Sequence, residues 1–284
     1  MNKIELYYSK EDINTTIKYG GNNVPYISID KLEESGLVLN GFSTRAGGVS
    51  TGHLSSMNLG YKRNDDSANV TENHKRMADA IGFDYKRIVT SDQTHTTNVR
   101  VVKEADCGKG IITERDYADI DGMVTNVSNI PLATYFADCV PLYFLDTNNK
   151  AIGLSHSGWR GTVGKIGINT IKAMTQNYGT DPKNVIACVG PSICQDCYEV
   201  SSDVADEFKN AFPKVYNDIL MDKGNGKYQL DLWKANEYVF LEAGVPMENI
   251  VVCNICTCHN KDVLFSHRGH NGMRGNLAAF LMLK

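Results

Sequence analysis

PLATYFADCVPLYFLDTNNKAIGLSHSGWRG, residues 131–161, is the stretch that decides the fold. It contains three almost continuously apolar runs, at 131–136, 142–145 and 151–154, and the last two are joined by a tight turn at 147–150. Apolar runs of this length are typical of strands that are covered on both faces. We therefore expect these three strands to lie at the centre of the molecule.

The segments around this centre alternate between strand and helix patterns. Strand-like runs occupy 37–45, 87–90, 99–102 and 250–255, and helical spacing occupies 67–81, about 163–178, 204–212 and 232–243. Ser67 is the expected N-cap of the first helix, and Gly82 is expected to end it. Repeats, low-complexity segments and a recognisable linker are absent from the sequence. One α+β domain is the simplest account.

The first 36 residues differ from the rest because they are polar and rich in turn residues. We expect an arm of uncertain structure at 1–36, irregular or made of small strands, and a single domain at 37–284 that carries the candidate site. At 284 residues the chain can bury a sizeable core.

Composition and charge limit the classes of partner. The net charge of −4 gives no basic surface for nucleic acid, and no block of Lys or Arg indicates a membrane surface. The amino-terminal segment lacks the apolar core of a signal peptide, and no run is long enough to span a bilayer. We expect a cytoplasmic monomer that acts on small molecules and binds neither nucleic acid nor membranes.

A first candidate site is formed by His95, Cys139 and His156. Cys139 and His156 stand at the ends of apolar runs, where strands deliver polar groups to the rim of a sheet. With His95 upstream they can form a set of three zinc ligands that leaves the fourth position open, which is the arrangement of a catalytic metal. The alternative is a buried free cysteine and a hydrogen-bonded histidine.

A second candidate site is formed by two Cys-x-x-Cys pairs among the eight cysteines. Cys194 with Cys197 and Cys253 with Cys256 can together hold a structural zinc through four thiolates, and Cys258-His259 adds further soft ligands. However, Cys253 lies inside the strand-like run 250–255, where alternate residues point to opposite faces. Plain burial of these thiols is therefore the alternative.

Seven short motifs, in this order along the chain, resemble those of one protein family. They are Phe42-Ser43-Thr44-Arg45-x-Gly47-Gly48-Val49-Ser50, Asn58-Leu59-Gly60, Gln93-x-His95, Ala137-Asp138-Cys139-Val140-Pro141, His156-x-Gly158-Trp159-Arg160-Gly161, and Gly190-Pro191-x-Ile193 followed by Cys197-Tyr198-Glu199-Val200. The ordered set is similar to the YfiH-type proteins, a family named both multicopper polyphenol oxidoreductases (laccases) and purine nucleoside phosphorylases.

This resemblance implies a fold, a metal and an activity. The implied fold is a single layered α/β/β/α domain related to the catalytic domain of cytotoxic necrotizing factor. The implied metal is zinc, with copper as an alternative, held by His95, Cys139 and His156, which would be the catalytic residues. The implied activity is phosphorolysis of adenosine, inosine, guanosine and methylthioadenosine, together with deamination of adenosine.

Three further residues are candidates for binding substrate or phosphate. Arg45 and the glycine-rich loop after it offer a guanidinium and backbone N–H groups that fit phosphate oxygens. Asn58 can hydrogen-bond the sugar or the phosphate, although Asn is also a common turn residue. Arg160 is a further candidate, whose alternative role is to brace the loop that carries His156.

Two other function classes stay open. The first is a copper-dependent polyphenol oxidase, although the seven histidines contain no His-x-His pair of the kind that multicopper oxidases use. The second is a cysteine hydrolase with Cys139 as the nucleophile and His156 as the base, which requires a free thiolate of low pKa.

Overall fold

The computed structural model describes residues 4–11 and 13–284. The strands in them are β1 (Thr15–Tyr19), β2 (Pro25–Ile29), β3 (Val38–Ser43), β4 (Val89–Thr90), β5 (Val99–Val101), β6 (Gly122–Thr125), β7 (Leu132–Phe136), β8 (Val140–Asp146), β9 (Ala151–Ser157), β10 (Val185–Val189), β11 (Glu199–Ser201), β12 (Leu220–Gly224), β13 (Lys227–Leu230), β14 (Ile250–Val252) and β15 (Leu277–Leu283). The α-helices are α1 (Asp30–Glu34), α2 (Ser67–Ile81), α3 (Trp159–Val163), α4 (Ile166–Tyr178), α5 (Ser202–Ala211), α6 (Tyr216–Ile219) and α7 (Leu232–Glu242).

The strands form two large sheets and one small one. The first sheet has the order β1-β2-β3-β15-β7-β4, the second has the order β14-β10-β8-β9-β6-β5, and the small sheet has the order β11-β13-β12. The expected strands β7, β8 and β9 are present, and almost all of their residues are buried. β7 belongs to the first sheet and β8 to the second, so the chain crosses between the sheets at residues 137–139.

The two large sheets pack face to face and are covered by helices on their outer sides. Alternation along β8 shows this arrangement, because Tyr143 packs in the core between the sheets and Phe144 packs outward. The ring of Phe144 lies 5.3 Å from that of Phe240 on α7. Met77 of α2 covers the first sheet at Phe280. The α+β class is confirmed, with layers in the order α/β/β/α, whereas the likeness to cytotoxic necrotizing factor stays a prediction.

Residues 15–34 contain regular structure. β2 pairs with β3 through Tyr26–Ser43 and Ile27–Phe42, so the small strands that we expected in this region extend the first sheet. Residues 1–3 and 12 of the interval lie outside the described part of the chain. The domain division at residue 37 stays a prediction.

Two helices differ in detail from the expectation. The N-cap of α2 is Asp66 rather than Ser67, because the Asp66 carboxylate accepts a hydrogen bond from the N–H of Ala68. Gly82 ends this helix in the left-handed conformation with φ 102°, as expected. The helix expected from residue 163 begins at Ile166, after Lys165 interrupts the backbone at φ 60°. Across residues 4–11 and 13–284, no helix combines the length and the apolar character needed to cross a bilayer.

Candidate functional site

The structure brings His95, Cys139 and His156 together at the ends of strands of the two large sheets. His95 lies in the loop after β4, Cys139 lies where the chain crosses from β7 to β8, and His156 lies near the end of β9. One potential ligand atom from each residue lies within 4.8 Å of the others, and Cys139 Sγ is 4.0 Å from His95 Nε2. A thiolate and two imidazoles are a donor set that zinc and copper both accept, so the residues fit the metal that the resemblance implies.

A buried carboxylate that the sequence analysis missed orients both histidines. Asp121 is fully buried, and its Oδ1 lies 2.7 Å from His156 Nδ1. The same carboxylate accepts hydrogen bonds from the backbone N–H groups of Thr94, His95 and Thr96. A carboxylate behind a ligating histidine is the usual way to fix its ring and tautomer. The signal in the sequence is weak, since Asp121-Gly122 also resembles a turn.

The charges of Cys139 and His156 are coupled. Burial raises the pKa of the Cys139 thiol, but the charge of His156 and hydrogen bonds from His156 and His95 outweigh it and lower the pKa to about 6. Burial lowers the pKa of His156, but the charge of Cys139 and the hydrogen bond to Asp121 outweigh it and raise the pKa to about 9. The sulfur is therefore a thiolate at neutral pH, which is the form that binds metals and attacks electrophiles.

The backbone before Cys139 is held in an unusual conformation. Asp138 has φ 91°, in the left-handed region that residues with a side chain rarely adopt. Its Oδ1 accepts a hydrogen bond from Thr257 Oγ1 at 2.6 Å, and its Oδ2 accepts one from the N–H of Arg268 at 2.7 Å. Its carbonyl accepts one from the N–H of Ile193 at 3.0 Å. These contacts fix the crossing segment and with it the position of the Cys139 sulfur.

Gly158 is required because two of the three candidate ligands, His95 and Cys139, fill the space beside it. A Cβ at this position would lie 2.9 Å from His95 Cδ2 and 3.2 Å from Cys139 Sγ. The glycine that follows His156 in its motif therefore has a steric explanation.

The three residues form part of the wall of a cavity of about 910 Å³, which also has an aromatic side. The other residues around it include Tyr61, Tyr117, Tyr135 and Phe136. A volume near the upper end of the usual range of about 300–1,000 Å³ accommodates a molecule with a ring system and several polar groups.

Three arginines reach this cavity, and they differ in how they are paired. Arg115 is bound to Asp92 at 3.0 Å. In the described part of the chain, by contrast, Arg63 and Arg274 have no carboxylate within ion-pair distance, and the buried Nε of Arg274 has no hydrogen-bond partner. Burial lowers the pKa of Arg63. Burial and the charge of Arg63 lower the pKa of Arg274 to about 10, so the guanidinium of Arg274 is charged at neutral pH. Arg274 Nη1 donates hydrogen bonds to Asn276 Oδ1 and, at 3.3 Å, to the carbonyl of Gly275. Two guanidinium groups that line one cavity and have no carboxylate partner are suited to an anion.

The substrate residues expected from sequence do not line this cavity. Arg45 donates hydrogen bonds to the carbonyls of Ser55 and Lys261, and its guanidinium lies 4.8 Å from the ring centre of Phe265. Asn58 is buried and bonded to Asp65.

Arg160 stacks on Trp159 with 4.2 Å between its guanidinium carbon and the ring centre. Binding of substrate by Arg45, Asn58 and Arg160 stays a prediction, and their contacts favour a supporting role.

Comparison with known proteins places the chain in a family. Residues 39–284 match the family model described as "Multi-copper polyphenol oxidoreductase laccase". The protein named purine nucleoside phosphorylase YlmD of Bacillus subtilis (strain 168) is 36% identical over 251 residues, which cover 87% of this chain and 89% of that protein.

Two crystal structures are similar over almost the whole chain. The hypothetical protein YfiH of Bacillus licheniformis has a TM-score of 0.86 at 32% identity and covers 91% of this chain and 96% of its own. YlmD of Geobacillus stearothermophilus has a TM-score of 0.86 at 30% identity and covers 99% of this chain and 100% of its own. The resemblance drawn from the motifs is confirmed, and the chain belongs to the family described as multi-copper polyphenol oxidoreductase laccase, whose relatives include proteins named purine nucleoside phosphorylase.

Proposed function

We propose that this chain is a zinc-dependent purine nucleoside phosphorylase that also deaminates adenosine. The observation that carries the proposal is the position of the His95, Cys139 and His156 set, which lines the same cavity as Arg63 and Arg274, two arginines without a carboxylate partner in the described part of the chain. The substrate class comes from the names of the relatives. Adenosine, inosine, guanosine and methylthioadenosine are the proposed nucleosides.

The aromatic side of the cavity suits a purine ring. Tyr61, Tyr117 and Phe136 offer ring faces and edges, and flat aromatic ligands pack favourably against such groups. Gln93 is not free to read the base, because its side chain hydrogen-bonds the backbone N–H and carbonyl of Tyr135, both at 2.7 Å. Gln93 is therefore not assigned to recognition of the base.

The phosphate is assigned to Arg63 and Arg274. In phosphorolysis one phosphate oxygen forms a bond to C1′ of the ribose, the bond from C1′ to the purine nitrogen breaks, and its electron pair leaves with the base. The products are the free purine and ribose 1-phosphate. Two guanidinium groups hold phosphate in place and offset its negative charge as it approaches the sugar.

The metal is assigned to His95, Cys139 and His156, with Asp121 holding the two histidines in position. Bound zinc supplies Lewis-acid chemistry and lowers the pKa of bound water to about 7, as deamination at C6 of adenine requires. The chain contributes three ligands and leaves the cavity side of the set open, which is the side from which substrate arrives.

A second candidate, a cysteine hydrolase, is favoured by one observation. Asp121, His156 and Cys139 form a hydrogen-bonded series that ends in a thiolate, as cysteine nucleophiles require. His95 argues against it, because a second imidazole nitrogen directed at the same sulfur is expected of a metal ligand and is not needed by a nucleophile. A copper oxidase is the third candidate, since the same donors bind copper.

The test starts from protein of known metal content. Adenosine is supplied with and without phosphate, and adenine, inosine and ribose 1-phosphate are separated by chromatography. We expect adenine and ribose 1-phosphate only with phosphate, and inosine in both cases. The variant Cys139→Ala should lose both activities and the metal, while Cys107→Ala, which changes a thiol outside the site, should keep them.

Two results would contradict the proposal, and two further results would choose between the other candidates. Full phosphorolysis by metal-free Cys139→Ala protein would separate the reaction from the metal set. Absence of turnover by protein with bound zinc would return weight to the other candidates. Oxidation of phenols with added copper would then favour the oxidase, and alkylation of Cys139 in active, metal-free protein would favour the hydrolase.

A further inference from the structure

A second group of metal-ligand residues lies at the carboxyl ends of β10 and β14. These strands are parallel neighbours in the second sheet, and the pairing continues beyond them in a bridge between Ser192 and Cys256. The loop after β10 supplies Cys194 and Cys197, and the loop after β14 supplies Cys256 and His259. Four soft donors thus come from two loops that the sheet holds side by side.

The four donors are spaced as around a single ion. One ligand atom of each residue lies within 4.8 Å of all the others. Cys194 Sγ is 3.6 Å from His259 Nδ1, and Cys197 Sγ is 3.3 Å from His259 Nε2. Zinc bonds of about 2.3 Å to sulfur and about 2.0–2.1 Å to nitrogen place tetrahedral ligands about 3.5–3.8 Å apart. The two sulfurs face different nitrogens of the His259 ring, and a single ion would use one of these nitrogens. The common spacing within 4.8 Å is what makes the four residues a candidate set for one ion.

Backbone N–H groups directed at the Cys256 sulfur are a second, independent observation. The N–H of His259 donates to Cys256 Sγ at 3.5 Å, and the N–H of Cys194 donates to it at 3.4 Å. In Cys256-x-x-His259 the chain turns back so that an N–H three residues later faces the first sulfur. Such donors stabilise a thiolate, whereas a thiol packed as a small apolar group needs none.

The membership of this group corrects the hypothesis of four thiolates from two Cys-x-x-Cys pairs. Cys253 is fully buried in the core between the two large sheets, together with Tyr143, and its N–H donates to the carbonyl of Val189. Cys256 packs in the other core, on the outer side of the second sheet. Cys253 and Cys256 therefore cannot share an ion, and His259 takes the fourth position.

We propose that Cys194, Cys197, Cys256 and His259 bind a structural zinc ion, separate from the ion proposed at His95, Cys139 and His156. Four protein ligands leave no open position, so this ion would stabilise structure and take no part in catalysis. A set of three thiolates and one imidazole favours zinc over magnesium, calcium or manganese, which prefer oxygen ligands.

The proposed zinc would support the first site through Asp138. Ile193 and Thr257, each next to a proposed ligand, both hydrogen-bond Asp138, the residue that precedes Cys139. The two loops that hold the zinc are therefore the loops that hold the crossing segment. Loss of the ion at this second site should loosen the position of Cys139, although His95, Cys139 and His156 themselves would be unchanged.

The test counts metal ions in protein from which the first site has been removed. Cys139→Ala protein, purified with zinc and analysed by mass spectrometry for metal content, should retain about one zinc per chain. Adding Cys256→Ser should remove this zinc. Adding Cys253→Ala, which changes the other cysteine of the same Cys-x-x-Cys pair, should not. Two zinc ions per chain in the unmodified protein and one in Cys256→Ser would show that the sites are independent.

A second measurement covers the case in which Cys256→Ser fails to fold. Cobalt(II) added to metal-depleted Cys139→Ala protein should give the intense visible bands of a tetrahedral thiolate site, and zinc should displace them. Metal-free Cys139→Ala protein with a normal circular dichroism spectrum and no cobalt bands would overturn the proposal. A disulfide among Cys194, Cys197 and Cys256 in freshly purified protein would overturn it as well. Absence of metal only at the first site would instead count against the proposed function.

Discussion

The carboxylate of Asp121 joins the two histidines of the first site. Its Oδ1 lies 2.7 Å from Nδ1 of His156 and accepts a hydrogen bond from the backbone N–H of His95 at 3.2 Å. One buried carboxylate therefore fixes the orientation of the ring of one histidine and the position of the loop that carries the other. Because its hydrogen bonds are all made inside the protein, its position does not depend on a bound ligand.

Replacing this carboxylate should weaken metal binding. We expect Asp121→Asn to lower the affinity for zinc by about 10- to 100-fold. Only the oxygen of an amide accepts hydrogen bonds, so the amide nitrogen could not replace the second carboxylate oxygen as an acceptor for the loop N–H groups. The dissociation constant is measured by competition with a chromophoric chelator. Asp119→Asn is the matched control, since Asp119 accepts from Thr94 Oγ1 and does not contact His156. Equal affinities for Asp121→Asn and the unmodified protein would contradict the assigned role.

Adding one methyl group at Gly158 should damage the same site by crowding. The new Cβ would lie 2.9 Å from His95 Cδ2, so the loop or the ligand must move. We expect Gly158→Ala to lower both proposed activities and to reduce the free energy of unfolding by about 1–3 kcal/mol. Gly21→Ala, where no atom lies within 4 Å of the new Cβ, should change neither. Zinc titration measures the binding of metal by each variant, and denaturant unfolding measures its stability. Normal zinc binding by Gly158→Ala would contradict the prediction that the new methyl group crowds the site.

Removing the charge of Arg274 should affect phosphorolysis alone. A charged hydrogen bond contributes about 1.5–3 kcal/mol, so Arg274→Gln should raise the KM for phosphate about tenfold to a hundredfold. Deamination of adenosine, which uses no phosphate, should be unchanged. Initial rates against phosphate concentration test this directly.

Arg45→Ala is the informative comparison for that experiment. Because Arg45 does not line the cavity and is bonded to the carbonyls of Ser55 and Lys261, we expect Arg45→Ala to lower the free energy of unfolding and to leave the KM for phosphate unchanged. The opposite result, a raised KM in Arg45→Ala and a normal one in Arg274→Gln, would restore the role that the motif predicts for Arg45.

The sequence contained enough information for the central strands and for the three candidate ligands that the structure brings together. The runs at 131–154 are apolar because both faces of β7, β8 and β9 are covered, and the chemistry of Cys139 and His156 stands out at their ends. The strand expected at 250–255 is shorter in the structure, because β14 ends at Val252 and Asn254 has φ 57°. Cys253 and Cys256 pack in different cores, which the expected alternation alone does not explain.

The remaining parts of the site depend on contacts between segments that are distant in sequence. Asp121 becomes an orienting group only when its strand pairs with β9, and nothing in its own segment distinguishes it from a turn aspartate. Arg63 and Arg274 meet in one cavity although more than 200 residues separate them in sequence. Arg45 stands in a stronger motif than either, which is why sequence reasoning preferred it.

The stability of the segment that forms part of the cavity wall should depend on pH through the ionisation of Asp106. Burial raises the pKa of this carboxyl, but hydrogen bonds from Lys109 and Arg100 outweigh it and lower the pKa from 3.8 to about 2. A lowered pKa in the folded state means that the stabilisation is complete above about pH 4 and is lost as the pH falls towards 2. We expect Asp106→Asn to be less stable than the unmodified protein at pH 7 and the difference to shrink over that acid range.

Denaturant unfolding of metal-free proteins between pH 2 and 7 measures this effect. Because residues 110–115 line the cavity just after Lys109, Asp106→Asn should also exchange its amide hydrogens faster in that segment. Asp116→Asn, which changes a largely exposed partner of Lys109, should have a small effect. A stability difference that stays constant down to pH 2 would exclude Asp106 as the titrating group.

The division of the first site between two sheets has a consequence for when its ion arrives. His95 follows a strand of the first sheet, His156 belongs to the second, and Cys139 lies on the crossing between them. The set therefore does not exist until the sheets have packed, and an ion cannot guide the early steps of folding. If the set binds a metal as proposed, the ion would reach the folded protein from the cavity that the three residues line, and the supply of metals would influence which one is bound. On this proposal, one polypeptide purified from media that differ in zinc and copper would carry different metals.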